Sequence, residues 1–161
     1  MSLDAKEFRG LIGNFATGVT VVTTSSGDGM HGFTVNSLTS VSLDPLLLLI
    51  CVDKGAKAHA QLQEAGAFGV SILSAKQEAI SSLFAQRGDP SEDDLRGVRF
   101  RTGRSGVPLI EGALAWFECA VKDVLEGGDH SIFVAHVRAG SLGDESEPLL
   151  YFRGGYCRIG G

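Results

Sequence analysis

Two runs of strict alternation, joined by a turn, constrain this chain more than any other feature. Ala113, Ala115, Phe117, Cys119 and Val121 recur at every second position, and Phe133, Ala135, Val137 and Ala139 do so again. Between them lies Glu126-Gly127-Gly128-Asp129, a turn sequence. A period of two puts the apolar side chains of a strand on one face, so the two runs predict strands with one face in a core. More strands come before and after. Val19-Thr20-Val21-Val22-Thr23-Thr24 is β-branched throughout, and Ser25-Ser26-Gly27-Asp28-Gly29 turns the chain into a returning strand near residues 32–35. Phe68, Val70 and Ile72 alternate, and residues 149–152 and 156–159 predict two short closing strands around Gly154-Gly155. Seven or so strands with few helices predict a mainly β fold, an antiparallel barrel.

Residues 46–52, Leu-Leu-Leu-Leu-Ile-Cys-Val behind Asp44-Pro45, form a continuous apolar run and predict a strand buried on both faces. Three helices have sequence signals. Asp4 and Glu7 make a capping box, Leu3 is placed to staple on Phe8, and Phe8, Leu11, Ile12 and Phe15 share one apolar face. A short helix over about 56–65 stops at Gly66. Ser74 and Gln77 form a second capping box ahead of Ile80, Leu83 and Phe84. Residues 86–94 carry Gly, Pro and four acids and read as an exposed loop.

Composition then removes whole classes of function. A chain of 161 residues with 43% hydrophobic and 20% charged residues predicts one soluble globular domain over 1–161. A net charge of −5, with aromatics that are mostly Phe, argues against a nucleic-acid face, which needs cations and stacking rings. The longest apolar run is too short to span a bilayer and no leader opens the chain, so a cytoplasmic protein without a membrane partner is expected. Cys51, Cys119 and Cys157 lie far apart and predict neither a disulfide framework nor a zinc site. His130 and His136 share a strand face but sit about 20 Å apart, so no metal site is expected. No GxGxxG, P-loop, GxSxG or HExxH is present.

Chemistry therefore has to be sought in less familiar segments. Thr34-Val35-Asn36-Ser37-Leu38-Thr39-Ser40-Val41-Ser42 is dense in hydroxyls and an amide beside the most apolar strand. Its polar groups either bond the backbone of an irregular strand or face a polar ligand. Asp53-Lys54-Gly55-Ala56-Lys57-Ala58-His59 joins a strand to a helix start surrounded by cations. It is either a phosphate cradle or an ordinary turn with solvated lysines. Gly128-Asp129-His130-Ser131-Ile132 puts a histidine just after a tight turn, and Tyr151-Phe152-Arg153-Gly154-Gly155-Tyr156 sets an arginine among aromatics.

Taken in order, these segments resemble the short-chain flavin reductase family. Phe15-Ala16-Thr17-Gly18-Val19-Thr20-Val21-Val22-Thr23 and Gly32-Phe33-Thr34-Val35-Asn36-Ser37-Leu38-Thr39-Ser40-Val41-Ser42-Leu43-Asp44-Pro45 carry the likeness first. Phe68-Gly69-Val70-Ser71-Ile72-Leu73-Ser74 with Gln77, Phe84-Ala85, Gly128 to Val134 and Pro148 to Tyr156 continue it. The resemblance implies an FMN-binding antiparallel split β-barrel that holds FMN or FAD at a homodimer interface. It implies reduction of that flavin by NADH or NADPH, and supply of reduced flavin to a partner monooxygenase. By position, Thr34, Val35, Asn36, Ser37, Thr39 and Ser40 would line the isoalloxazine edge. Cys51, Val52 and Asp53 would border the ring or ribityl chain, and Lys57, Ala58 and His59 the phosphate. Phe84, Arg87, Phe152 and Arg153 complete the expected cofactor set, and His130 would act at the nicotinamide. Relatives often carry a hydroxyl in the phosphate turn, and Gly55-Ala56-Lys57-Ala58 has none.

Such a reaction explains the missing catalytic constellation. Hydride transfer between nicotinamide and flavin needs no strong acid or base, because the cofactors carry the chemistry. The protein has to stack two rings at roughly 3–3.5 Å and offer hydrogen bonds to the flavin edge, a role suited to Asn36, Ser37 and Thr39. Two alternatives stay open. One is a reductase passing electrons to ferric iron or a cobalt corrinoid; the other is a flavin-binding split barrel without turnover. The Gly128-Asp129-His130 turn favours the reductase, since a storage protein needs no nicotinamide site.

Overall fold

The protein is described by a computed structural model covering residues 2–86 and 95–160. The long hairpin is its spine. β9 (Ala115–Gly127) and β10 (His130–Leu142) pair antiparallel along nearly their whole length across a turn at Gly128, which has φ 76°. Only a residue without a Cβ takes that conformation freely. Two register shifts, at Val134/Ala135 and Val137/Ala139, bend the ribbon and increase its twist.

Five further strands extend the ribbon into one sheet. They are β2 (Thr20–Ser26), β3 (Gly29–Val35), β4 (Thr39–Leu43), β5 (Leu46–Asp53) and β6 (Ala67–Ile72). The order is β3-β2-β6-β9-β10-β5-β4, all neighbours antiparallel. The sheet coils around a core of Val22, Leu48, Ile50, Leu62, Phe68, Val70 and Phe133, with Phe117, Val121 and Val137 packed against it. The alternating positions of the two sequence runs thus supply this core from Phe117 to Val137. The sheet does not close, because β3 and β4 are both edges. Ser37, in the crossing between them, bridges the split: its hydroxyl donates to the Cys51 carbonyl and accepts from the Cys51 N–H, both at 3.1 Å. The architecture is a split barrel.

β1 (Thr17–Gly18), β11 (Leu150–Phe152) and β12 (Gly155–Cys157) form a small second sheet. Helix α2 (Lys57–Ala65) ends on Gly66, at φ 66°. Helix α3 (Glu78–Ala85) follows a single 3-10 turn, Ala75–Gln77, where the Gln77 side chain accepts from the Ser74 N–H as the capping-box spacing predicts. β7 (Phe100–Thr102) and β8 (Pro108–Ile110) make a hairpin that no sequence signal predicts. The expected loop at 86–94 lies, beyond Gln86, outside the described residues.

Two expectations meet a different outcome. β5 is not buried on both faces: Leu48, Ile50 and Val52 point into the core, while Leu46 is half exposed and Leu47, Leu49 and Cys51 are only partly covered. Its second face forms the outside of the barrel and is only partly covered by the described residues. Helix α1 (Ala5–Ile12) has the predicted capping box, yet buries no residue. Leu3, Phe8, Leu11, Ile12 and Phe15 all stand exposed, Phe15 at 73%.

The β7-β8 hairpin covers the outer face of β9. Trp116 Nε1 donates to the Ile110 carbonyl at 2.6 Å, and Glu118 accepts from the Arg104 and Ser105 N–H groups and the Ser105 hydroxyl. Burial alone would push the Glu118 carboxyl up, but these hydrogen bonds outweigh it and hold the group below its ordinary value. A depressed folded-state pKa stabilises the fold above the ordinary carboxylate value of about 4.3, and that stabilisation is lost as pH falls. Glu118→Gln is therefore expected to lower the urea midpoint at pH 7 by an amount that shrinks steadily toward pH 3. A gap that stays constant with pH would mean that the ionised carboxylate contributes nothing.

Candidate active site

Edge strand β3 is the floor of the principal cleft. Residues 31–35 of the strand, with Asn36 and Ser37 of the crossing after it, line a cavity of about 710 Å³. Helix α2 closes one wall with Gly55, Ala56, Lys57, Ala58 and Gln61; Phe84, Ala85, Gln86 and Arg96 form another. Cys51, Val52, Asp53 and His130 close the side next to the start of α2, where β10 pairs with β5 and His130 stands opposite Asp53. Gly32 is needed here, since a Cβ would stand 2.9 Å from the Phe84 ring.

The expected residues divide by placement. Thr34, Val35, Asn36, Ser37, Cys51, Val52, Asp53, Lys57, Ala58, Phe84 and His130 all line this cleft. Thr39 lies instead in a second hollow of about 810 Å³, on the α1 side of the crossing, which shares Asn36 and Ser37 with the first. Ser40 is exposed on β4 and lines neither. His59 turns away from the cleft: its Nε2 is 2.7 Å from the Ser131 hydroxyl and its ring stands edge-on to Phe133. Phe152 and Arg153 sit at the end of α1, where the Arg153 Nε donates to Asn14 Oδ1 at 2.8 Å and its N–H to the Gly13 carbonyl. Arg87 lies outside the described residues.

The hydroxyl-rich segment answers to both of its readings. Thr34 Oγ1 donates to the Ser81 carbonyl at 2.7 Å and Ser37 to the Cys51 carbonyl, so these hydroxyls fasten backbone. Asn36 is exposed between the two hollows, with no such bond. Burial pushes the Cys51 thiol up, so a neutral sulfur stands in the wall.

His130 is held from its outer side. Its Nδ1 is 2.7 Å from Asp129 Oδ1, and that hydrogen bond holds the Asp129 carboxyl below its ordinary value. An ionised carboxylate only accepts, so Nδ1 carries the proton and Nε2 is left for a ligand.

Four polar cleft residues escaped sequence reasoning: His31, Gln61, Gln86 and Arg96. The turn at Gly27-Asp28 sets the hairpin register that brings Asp28 and His31 together, so that contact was readable in principle. Arg96 follows the acidic segment, where no pattern exists, and donates to the Leu83 carbonyl beside the Phe84 ring.

The cavity lies within the size range of small-molecule and cofactor sites, roughly 300–1,000 Å³. Its two ends differ chemically. One offers Asn36 and backbone beside a half-buried thiol. The other offers the start of α2, which has no side-chain cap, together with Lys57. That combination fits a flat ring joined to a phosphate: neutral hydrogen-bonding groups for the ring, and helix N–H groups with a cation for the anion. Fold and cleft define a nucleotide-binding split barrel.

Comparison with known proteins is more specific. The flavin reductase like domain matches residues 12–160. A probable flavin reductase of Rhizobium meliloti is 44% identical over 95% of the chain, which spans only 48% of that relative. An NADH-dependent FAD reductase of Streptomyces globisporus is 43% identical over 97% of the chain and 86% of its own length. The solved structure of BorF, the flavin reductase component of a bacterial two-component tryptophan halogenase, superposes with a TM-score of 0.89. The two share 45% identity, over 97% of this chain and 98% of BorF. The chain belongs to the flavin reductase family.

Proposed function

We propose that the protein is an NAD(P)H:flavin oxidoreductase that takes reducing equivalents from a nicotinamide nucleotide to FMN or FAD and passes reduced flavin to a separate monooxygenase. The observation that carries this reading is the β3 cleft, which brings Asn36, Cys51, Lys57 and His130 together on a chain of the flavin reductase family. The Streptomyces globisporus relative supports NADH and FAD as the pair, and BorF supports a two-component system. Residues 1–161 act as one flavin reductase domain, in keeping with the match over 12–160.

Bound flavin supplies the hydride acceptor. The chain's own residues bind, orient and shield. Asn36 meets the polar ring edge, Cys51 and Val52 border the ring, and Lys57 with the start of α2 holds the phosphate. His130, oriented by Asp129, positions the nicotinamide over the cleft. None of these groups has to give or take a proton during hydride transfer.

The functional unit is a homodimer. A row of apolar side chains on α1, with Leu43 and Leu46 on the β4-β5 edge, faces solvent in one chain, and such patches mark interaction surfaces. The second hollow, lined by Ile12, Phe15 and Tyr151, borders Asn36 and Ser37, so a second copy seated there completes the ring end. Among the described residues no helix is long and apolar enough to cross a membrane, and a cytoplasmic location is proposed with it.

The deciding measurement is anaerobic mixing with NADH and with NADPH, following the oxidised flavin absorbance with FMN and with FAD. Bleaching at a saturable rate supports the reductase; stable colour with all four pairs overturns it. Lys57→Ala is expected to weaken FMN by about 1–3 kcal/mol, the worth of a charge-assisted bond, and riboflavin hardly at all. Equal losses measured by calorimetry would remove Lys57 from the phosphate.

A further inference from the structure

The α2 end of the cleft holds a feature that the reading above leaves unused. His31 projects from β3 and is 95% buried, with 5% of its surface exposed, yet it is part of the cleft wall. Its Nε2 is 2.9 Å from Asp28 Oδ1 across the hairpin turn. Its Nδ1 is buried and has no partner among the described residues. Buried polar atoms are almost always satisfied, and one left bare in a cleft points to something that occupies the cleft.

The ring is oriented. Asp28 also accepts from the Ser26 hydroxyl and from Gln61 Nε2 at 3.4 Å, and the Ser26 and His31 bonds hold its carboxyl well below the usual range. An ionised carboxylate accepts only, so Nε2 carries a proton and the bare atom is Nδ1. Close by on the same wall stand Lys57 and the N-terminal turn of α2, nine residues long and without a side-chain cap. The turn reads Gly-Ala-Lys-Ala over 55–58 and offers no side-chain hydroxyl of its own.

We propose that His31 is a specificity-determining residue for flavin nucleotides, its Nδ1 donating to the phosphate that follows the ribityl chain. The assignment rests on the flavin reading above. A phosphate oxygen only accepts, so His31 binds it as an imidazolium, one N–H to Asp28 and the other to the ligand. Among the described residues, Asp28 on the hairpin, Asp53 before α2, Lys57 on α2 and Arg96 beyond α3 are the charged groups on this side of the cleft. FMN and FAD share the phosphate recognised; riboflavin lacks it.

The test compares FMN with riboflavin, by quenching of flavin fluorescence on the intact protein. His31→Leu is expected to weaken FMN about 10- to 100-fold, as for a lost charge-assisted bond, and to leave riboflavin within about twofold. Asp28→Asn keeps the imidazole but removes the carboxylate that supports its charge, and is expected to weaken FMN alone by a smaller factor. If His31→Leu fails to fold, Asp28→Asn carries the test. Equal weakening of both flavins makes His31 a packing residue and overturns the proposal, as does unchanged FMN binding. Wild-type protein that binds neither flavin overturns the functional reading itself. Variants that bind FMN like the wild type and still oxidise NADH remove only His31.

Discussion

If the proposed homodimer forms through α1, replacing Leu11 and Phe15 together by Asp is expected to give a monomer that no longer reduces flavin. Both side chains lie largely in solvent in the single chain. Burying an exposed side chain of this size is worth about 1.5–3 kcal/mol, so two residues on each of two copies contribute about 6–12 kcal/mol to association. A two-fold interface uses the same patch twice, which doubles the effect of any substitution in it. The aspartates would also carry charge into the contact. Helix α1 buries nothing within its own chain, so the monomer's fold should survive, and circular dichroism should show unchanged strand content. Light scattering then reads the mass and fluorescence quenching the flavin affinity. A variant that stays dimeric removes α1 from the interface. One that becomes monomeric and keeps full turnover shows that each cleft is complete within one chain.

His130→Ala is expected to lower kcat/KM for NADH by about 10²-fold, the scale of losing alignment between two reacting rings. Flavin affinity should stay within about twofold, because the role assigned to His130 is at the nicotinamide and the flavin phosphate is left to Lys57 and the start of α2. Asp129→Asn tests the same idea from outside. Asn offers a donor or an acceptor where the carboxylate only accepts, so the ring loses its fixed tautomer and the rate falls less than in His130→Ala. A rate that follows a single ionisation in the wild type, with that pH dependence abolished in the variant, would make His130 a proton donor instead. Stopped-flow reduction across a range of NADH concentrations separates the cases. An unchanged rate at every concentration would leave His130 as an ordinary turn residue.

The strands were legible because their signal is local. Alternation around Glu126-Gly127-Gly128-Asp129 and the β-branched run from Val19 need no tertiary information to be read as strands. The β7-β8 hairpin escaped because Arg101 and Thr102 are polar and the pair is held by what it covers, Trp116 and Glu118. The apolar run of β5 misled for a related reason. Continuous hydrophobicity marks two apolar faces; it does not show that the chain itself buries both. Site residues followed the same division. Lys57 and His130 flank turns that sequence marks. His59 looks identical in sequence to a cleft residue, and only the docking of α2 turns it toward Ser131 and Phe133. For His31 only the contact with Asp28 was readable, from the hairpin turn; its place in the cleft wall was not, since a histidine on a strand is indistinguishable from a core position until its neighbours are known.

The single hydroxyl of Ser37 has a consequence for how such a protein can diverge. β4 covers β5 only from Leu46 to Leu49, and beyond that the crossing segment meets Cys51 through one side chain. A hydroxyl–amide contact of this kind contributes on the order of 1 kcal/mol, far less than a ladder of strand pairs. The segment bearing Asn36 can therefore be reshaped without unzipping the barrel. Tolerance to mutation and ligand choice are concentrated in the same short stretch of chain, while folding is entrusted to the opposite side of the sheet.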